Sequence, residues 1–351
     1  MEYRKKLEGI LLTSIIKPGY DEKRSLLSEK IPLNTPYSII ITPSSLCNFR
    51  CLYCIHSSIE KIEDLSFKKE KLDWGSFLKI SQQILEFPQK IKAIHFHGWG
   101  EPLLNKNVYR MIKHLKEKKC AEKINLITNG VLLNRKNSLE LIESGVDTIK
   151  ISLQGINTEK YFLTSNVDVN FENLIKNIEY LYLNKKNCEI YVKIADISLD
   201  KNQEDAFFKI FENITDRMFI EFIRPVRNNC SNDKMEVIEK SINMYGDPIP
   251  PFLVCPLPFY MLHITSSGDV LPCCNYLDPV SLGNIKEKSL KEIWESQKRN
   301  EFLTMLLTKK KNLQDDYPIC NGCNIHLNNM RYEDELDSKS VILLKKFEIK
   351  Y

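Results

Sequence analysis

The chain has 351 residues, with 50 basic and 46 acidic side chains and a formal net charge of +4. That near-balance argues against nucleic acid or an anionic membrane surface as a partner. No apolar run approaches the ~18 residues of a membrane span, and eleven cysteines, an odd number in a long chain, do not make a secreted disulfide framework. The expected setting is a reducing cytoplasm.

Residues 1–36 place Leu7, Ile10, Leu11 and Ile15 on one helix face and continue into an irregular connection through Pro18, Gly19, Pro32 and Pro36. This stretch is expected to cap or strap the body of the protein. Across 37–224, short β-branched runs alternate with amphipathic helical windows, which predicts repeated βα units and a parallel sheet. The strands fall at 37–42, 91–97, 123–128, 148–153, 188–197 and 218–224. One intervening helix carries Trp74, Phe77, Leu78, Ile84 and Leu85 on its apolar face. A second carries Val108, Met111, Ile112 and Leu115, and a third Phe171, Leu174, Ile175, Ile178, Leu181 and Tyr182. Six such units with right-handed crossovers predict an α/β fold, a partial (β/α)6 TIM-like barrel, with its active groups at the carboxyl ends of the strands.

The first strand runs into Cys47-Asn48-Phe49-Arg50-Cys51-Leu52-Tyr53-Cys54, three thiols at C-x3-C-x2-C spacing. Thiolates are soft ligands, and a four-iron cube held by three of them keeps one iron open to an outside ligand. On these residues alone a zinc knuckle, or a redox pair of Cys51 and Cys54, stays open, although zinc closes with four ligands. Strand two ends at Gly98-Trp99-Gly100-Glu101-Pro102, strand three at Thr128-Asn129-Gly130, and strand four at Ser152-Leu153-Gln154-Gly155. Glycines permit close backbone approach, and Glu101 can accept a hydrogen bond from an ammonium. His95 and His97 share one side of strand two, where a hydrogen-bonded pair inside the barrel is the commoner fate.

Residues 225–254 are rich in Asn, Pro and charge and read as a linker. A small α+β domain occupies 255–330, with Cys255, Gly268-x4-Cys273, Leu282-Gly283-Asn284-Ile285 and Cys320-x2-Cys323, and a tail covers 331–351. Within the domain, Ser266 to Asp269 form a hairpin turn, and Ser289 with Glu292 form a capping box for a helix bearing Leu290, Ile293 and Trp294. So small a core usually needs a metal to hold it. Of the other cysteines, Cys120 and Cys188 read as buried thiols, and Cys274 adjoins a candidate ligand and is an alternative to it. Cys230 lies just beyond strand six.

The first cysteine spacing, Tyr53 before the last thiol and the preceding strand resemble the radical SAM superfamily. Residues 255–326, with their Gly-Asp-Val turn, Pro-Cys-Cys and Leu-Gly-Asn-Ile step, resemble the SPASM and twitch domains that come after such barrels. The resemblance implies a 4Fe-4S cluster on Cys47, Cys51 and Cys54 whose open iron chelates S-adenosylmethionine, so that reductive cleavage yields a 5′-deoxyadenosyl radical. It implies cofactor contacts from Tyr53, Gly98, Gly100, Glu101, Asn129, Ser152 and Gln154. Trp99 departs from the usual Gly-Gly-Glu, and Gln154 stands where the family often has an acidic residue. It also implies a second, auxiliary 4Fe-4S cluster on Cys255, Cys273, Cys320 and Cys323, and a flavodoxin- or ferredoxin-type reductant.

The expected reaction is dehydrogenation of a hydroxylated small molecule such as a sugar or aminocyclitol, with the auxiliary cluster as electron acceptor. Arg224, Glu221, Asp196 and Lys193 are the candidate polar groups at the mouth. The alternative is a peptide-modifying epimerase or crosslinking enzyme, in which Cys230 is a candidate hydrogen donor. A more distant alternative is a zinc-binding protein without catalysis.

Overall fold

Alternation of apolar and polar residues along the strands, with helical windows between them, builds a ten-stranded sheet among the described residues. The computed structural model of the chain describes residues 14–19, 24–57, 68–223, 242–249, 251–275, 280–308, 320 and 323–350. In chain order the strands are β1 (Ile15–Ile16), β2 (Ser38–Ile41), β3 (Ile91–Phe96), β4 (Ala121–Thr128), β5 (Thr148–Leu153), β6 (Glu189–Ala195), β7 (Arg217–Glu221), β8 (Met261–Ile264), β9 (Asp269–Leu271) and β10 (Gly283–Asn284). Their order across the sheet is β1-β7-β6-β5-β4-β3-β2-β8-β9-β10. Every pairing from β1 to β8 is parallel, and β9 and β10 run antiparallel. All six predicted barrel strands are present as β2 to β7, with their ends shifted by a few residues.

Period-two alternation sorts each strand into two faces. On β5, Ile149, Ile151 and Leu153 are buried against the helical layer, while Thr148, Lys150 and Ser152 alternate with them and face the lumen. The flanking helices are α1 (Trp74–Ile84), α2 (Val108–Glu117), α3 (Arg135–Ser144), α4 (Thr158–Ser165), α5 (Phe171–Asn184) and α6 (Glu204–Phe211). Asp73, Asn134, Asn157 and Asn170 cap α1, α3, α4 and α5 by accepting from a first-turn amide. Helix α2 buries Val108, Met111, Ile112 and Leu115, and α5 buries Phe171, Leu174, Ile178 and Leu181. The stripe on α1 is narrower than predicted. Phe77, Ile80 and Ile84 are buried, whereas Leu78 and Leu85 are 38% and 51% exposed. Each lies one residue past a core position, and one residue turns the helix by about 100°.

At the amino end, Ile15 was expected on a helix face; here it pairs with Arg217 in β1, alongside β7. The hairpin predicted at Ser266 to Asp269 is formed by β8 and β9. β8 also lies parallel to β2, pairing Ser38 with Met261 and Ile41 with Ile264. The small C-terminal region is therefore continuous with the barrel sheet. The predicted capping box of Ser289 and Glu292 starts α7 (Leu290–Trp294), whose Leu290, Ile293 and Trp294 are buried. Trp294 donates to the Leu33 carbonyl at 2.9 Å. Helix α8 (Gln297–Thr308) packs on α9 (Ser340–Lys350). Among the described residues, no helix is long and apolar enough to cross a membrane.

Candidate active site

The cysteine loop begins where β2 ends, and main-chain bonds hold it to α4. Arg50 N donates to Ser165 O and Leu52 N to Thr164 O, both at 2.9 Å. The Arg50 guanidinium donates to the carbonyls of Cys47 and Phe49 at 2.9 and 2.7 Å. Phe49 is buried edge-on to Tyr161, with ring centroids 6.3 Å apart. Cys47, Cys51 and Cys54 are half-buried and unbridged. Burial raises all three thiols, Cys47 to about 12, and mutual repulsion raises Cys47 and Cys51 further. A bound cation favours the thiolates and so opposes that shift. Among the described residues no three His, Cys, Asp or Glu side chains are arranged to hold a single metal ion. A four-iron cube takes each thiolate on a different iron, and three soft thiol donors on one loop suit it.

Beside this loop, Gly98 and Gly100 have no room for a side chain. A Cβ on Gly98, at φ +141°, would come within 2.0 Å of Thr42 Oγ1, and one on Gly100 within 2.3 Å of Ser44 O. Both glycines thus let the end of β3 lie directly against β2 and the start of the cysteine loop. Glu101 N completes the contact by donating to Leu46 O at 2.8 Å. The Glu101 carboxylate is buried and accepts from Leu103 N at 3.0 Å, Thr128 Oγ1 at 2.7 Å and Asn129 N at 2.8 Å. Burial raises its pKa, and these three donors oppose the rise.

The remaining predicted cofactor contacts join the same assembly. Asn129 Nδ2 donates to Asn48 Oδ1 at 2.8 Å, and Tyr53 Oη donates to Gln154 Oε1 at 2.7 Å. Ser152, half-buried on β5, is the residue whose carbonyl faces Gln154 Nε2 at 3.4 Å. The cysteine loop is therefore bonded to the ends of β3, β4 and β5.

Deeper in the lumen, the rings of His95 and His97 lie 6.0 Å apart. Burial lowers both, His95 to about 3, so each is neutral at pH 7. Lys193 and Glu221, two of the candidate polar groups, form an ion pair at 2.5 Å. Asp196 Oδ1 accepts from the amides of Ile197 and Ile223. Arg224 and Cys230 lie outside the described residues.

The second cysteine set also comes together. Cys255, Cys273, Cys320 and Cys323 line one cavity of about 80 Å³, closed by Leu257, Leu271, Phe302 and Ile325. Asn275 Nδ2 lies 3.5 Å from Cys323 Sγ. Burial pushes Cys255 and Cys273 up, and the neighbouring thiols add to the rise. Four soft donors around an apolar hollow can hold an iron-sulfur cluster with every iron ligated. Cys274 does not line this hollow. Cys120 and Cys188 are buried thiols, as predicted.

Sequence reasoning missed a contact that joins the segment just after the first cysteine set to the one carrying Cys274, next to the second. Trp99 accepts at its carbonyl from the His56 ring, stands edge-on to His263 at 5.2 Å, and has its indole nitrogen 3.5 Å from Cys274 O. His263, on β8, hydrogen-bonds Thr42 Oγ1 at 2.7 Å. The tryptophan inside the Gly-x-Gly-Glu segment was the available signal.

Comparison with known families agrees with this arrangement. The Radical SAM superfamily pattern matches residues 41–197, and the SPASM iron-sulfur cluster-binding domain matches residues 255–324. The chain belongs to the radical SAM superfamily, with a SPASM domain after its barrel, and its cofactors are S-adenosylmethionine and iron-sulfur clusters. It is 26% identical over 324 residues to the tungsten-containing aldehyde ferredoxin oxidoreductase cofactor-modifying protein of Pyrococcus furiosus, covering 80% of this chain and 85% of that one. It is 27% identical over 225 residues to the GTP 3′,8-cyclase of Staphylococcus haemolyticus, covering 60% of this chain and 63% of the cyclase. Its fold is similar to that of anSMEcpe with bound AdoMet, with a TM-score of 0.57 and 18% identity over 90% of this chain and 97% of that one.

Proposed function

We propose that the chain is a radical SAM oxidoreductase that dehydrogenates a hydroxylated small molecule, such as a sugar or an aminocyclitol. The observation that carries this reading is the set of four thiols around one cavity, Cys255, Cys273, Cys320 and Cys323. A cluster with all irons ligated has no position for substrate and is suited to receive an electron. Likeness over 80% of this chain to a protein named as cofactor-modifying also favours a small-molecule target.

In this reading Cys47, Cys51 and Cys54 hold the S-adenosylmethionine cluster. When bound, that pair supplies the 5′-deoxyadenosyl radical that removes a hydrogen atom from the substrate carbon. The bonds from Arg50, Asn129 and Tyr53 fix the loop that carries the ligands. Glu101 and Ser152 are assigned to the cofactor's polar groups. Glu221, its charge balanced by Lys193, takes the proton from the substrate hydroxyl. Cys255, Cys273, Cys320 and Cys323 would hold the auxiliary cluster, which would supply the one-electron acceptor that oxidation of an alcohol to a carbonyl requires. Trp99 reaches from His56, just after the first cysteine set, to Cys274, next to Cys273 of the second. A flavodoxin- or ferredoxin-type protein supplies the reducing electron.

The first experiment is iron and acid-labile sulfide per chain after anaerobic reconstitution, on wild type and on the Cys47→Ala, Cys51→Ala, Cys54→Ala triple variant. About eight irons falling to about four is expected. About four falling to none would remove the electron acceptor and with it the oxidation. Screening alcohols, sugars and peptides for 5′-deoxyadenosine release then assigns the substrate class, with one carbonyl product expected per 5′-deoxyadenosine. Turnover that depends on Cys230, tested by Cys230→Ala, would instead indicate a redox-neutral reaction on a peptide or sugar carbon.

A further inference from the structure

The amino ends of the barrel strands enclose a cavity of about 990 Å³, at the opposite end of the lumen from the cysteine loop. Residues 15–19 run along its rim, and β3, β4, β5, β6 and β7 contribute their first residues to its wall. Among the described residues, six Lys or Arg side chains line it against three Asp or Glu. Two of the acids are already engaged, Asp334 with Arg24 and Glu189 with Arg217. Among its described residues the lining therefore holds more cationic than anionic side chains.

Among the described residues, several of its polar groups have no full set of partners. Lys150 donates to Gly19 O at 3.3 Å, and among the described residues no carboxylate lies within ion-pair distance of it. Asn125 is 7% exposed and lines the cavity, yet its Oδ1 has no hydrogen-bond partner. Arg217 Nε and, deeper in the wall, Tyr191 Oη are likewise buried without partners. Buried polar atoms are normally bonded, and an unpaired cation inside a barrel costs stability. Together they describe a surface built for something that brings negative charge and hydrogen-bonding oxygens.

We propose that this cavity binds a small polyanion of the phosphate or carboxylate class that also carries a hydroxyl donor, with Lys150 and Arg217 on the anion and Asn125 Oδ1 on the hydroxyl. The site is separate from the S-adenosylmethionine end and does not depend on the reaction proposed there. Its ligand enters past the residue 15–19 strap, on the face of the barrel away from the clusters.

The test is isothermal titration of the reconstituted protein with inorganic pyrophosphate and, separately, with citrate, at matched ionic strength. Binding of pyrophosphate alone assigns the phosphate class, and binding of citrate alone the carboxylate class. Lys150→Met is expected to weaken binding by about tenfold or more, the scale of a lost charged hydrogen bond. Asn125→Asp, which puts a negative charge into the wall, is expected to abolish it even if Lys150→Met folds poorly. The exposed Lys201→Met variant should bind as wild type. Failure of both anions to bind wild type overturns the proposal, as does undiminished binding in the Lys150→Met and Asn125→Asp variants.

Discussion

The two ends of the barrel lumen are finished differently. At the carboxyl end the chain bonds its own polar groups to one another: Glu101 takes three donors, Asn129 reaches Asn48, and Tyr53 reaches Gln154. At the amino end Asn125 Oδ1 and Arg217 Nε are left without partners, and Lys150 has a single neutral acceptor. The first end is braced so that a loop of ligands keeps its place. The second is left open, at a cost in stability. Substitutions that preserve shape should therefore harm one end and relieve the other.

The largest effect is expected at Gly100. A methyl group there would lie 2.3 Å from Ser44 O and 2.5 Å from Leu46 O, both backbone atoms. Gly100→Ala should displace the cysteine loop and cost roughly 3 kcal/mol or more, read as a fall in Tm with loss of about half the reconstituted iron. Glu101→Gln comes next. It turns one acceptor oxygen into a donor facing the Thr128 hydroxyl or the Asn129 amide, and should cost about 2 kcal/mol in denaturant unfolding. If Glu101→Gln were neutral, the brace would not be what holds this end.

Lys150→Met should have the opposite sign. Burial, with the Lys193 ammonium behind it, lowers Lys150 from 10.5 to about 8. Below pH 8 the residue is protonated in both folded and unfolded chains, so the penalty of its buried charge is fully present. Between pH 8 and 10.5 the folded protein releases the proton first and the penalty is relieved. The Met variant should therefore melt higher than wild type at pH 7, and the gain should shrink as the pH rises above 8. The smallest effect is expected for Tyr53→Phe, which removes one bond to Gln154 and should cost about 1 kcal/mol.

Much of this architecture was legible in the sequence because it is local. Period-two runs mark β2 to β7, and Ser289 with Glu292 marks the start of α7. Thiol spacing marks both cysteine sets, and the four thiols chosen for the second site are the four that line its cavity. What stayed hidden depends on partners distant in the chain. Glu101 reads as an acceptor for an ammonium, and its sequence context does not reveal that Thr128 and Asn129 on the neighbouring strand also donate to its carboxylate. Glycines 98 and 100 read as permitting close approach, and the sequence does not reveal that Thr42 and Ser44 occupy the space where their side chains would be. Glu221 and Lys193, separate candidates in the sequence, sit opposite each other on adjacent strands and pair. Nothing in a run of residues reveals that, among the described residues, no carboxylate pairs with Lys150.

The parallel seam between β2 and β8 also governs the order in which the molecule can be assembled. Ser38 and Met261 meet across more than 200 residues of chain. During synthesis the first barrel strand therefore waits with one edge unpaired until the C-terminal region has emerged. An open edge of Ile39, Ile40 and Ile41 is a template for association between chains. Chains ending before residue 261 should aggregate even though every barrel strand is present, so the SPASM region serves the barrel's folding as well as the clusters.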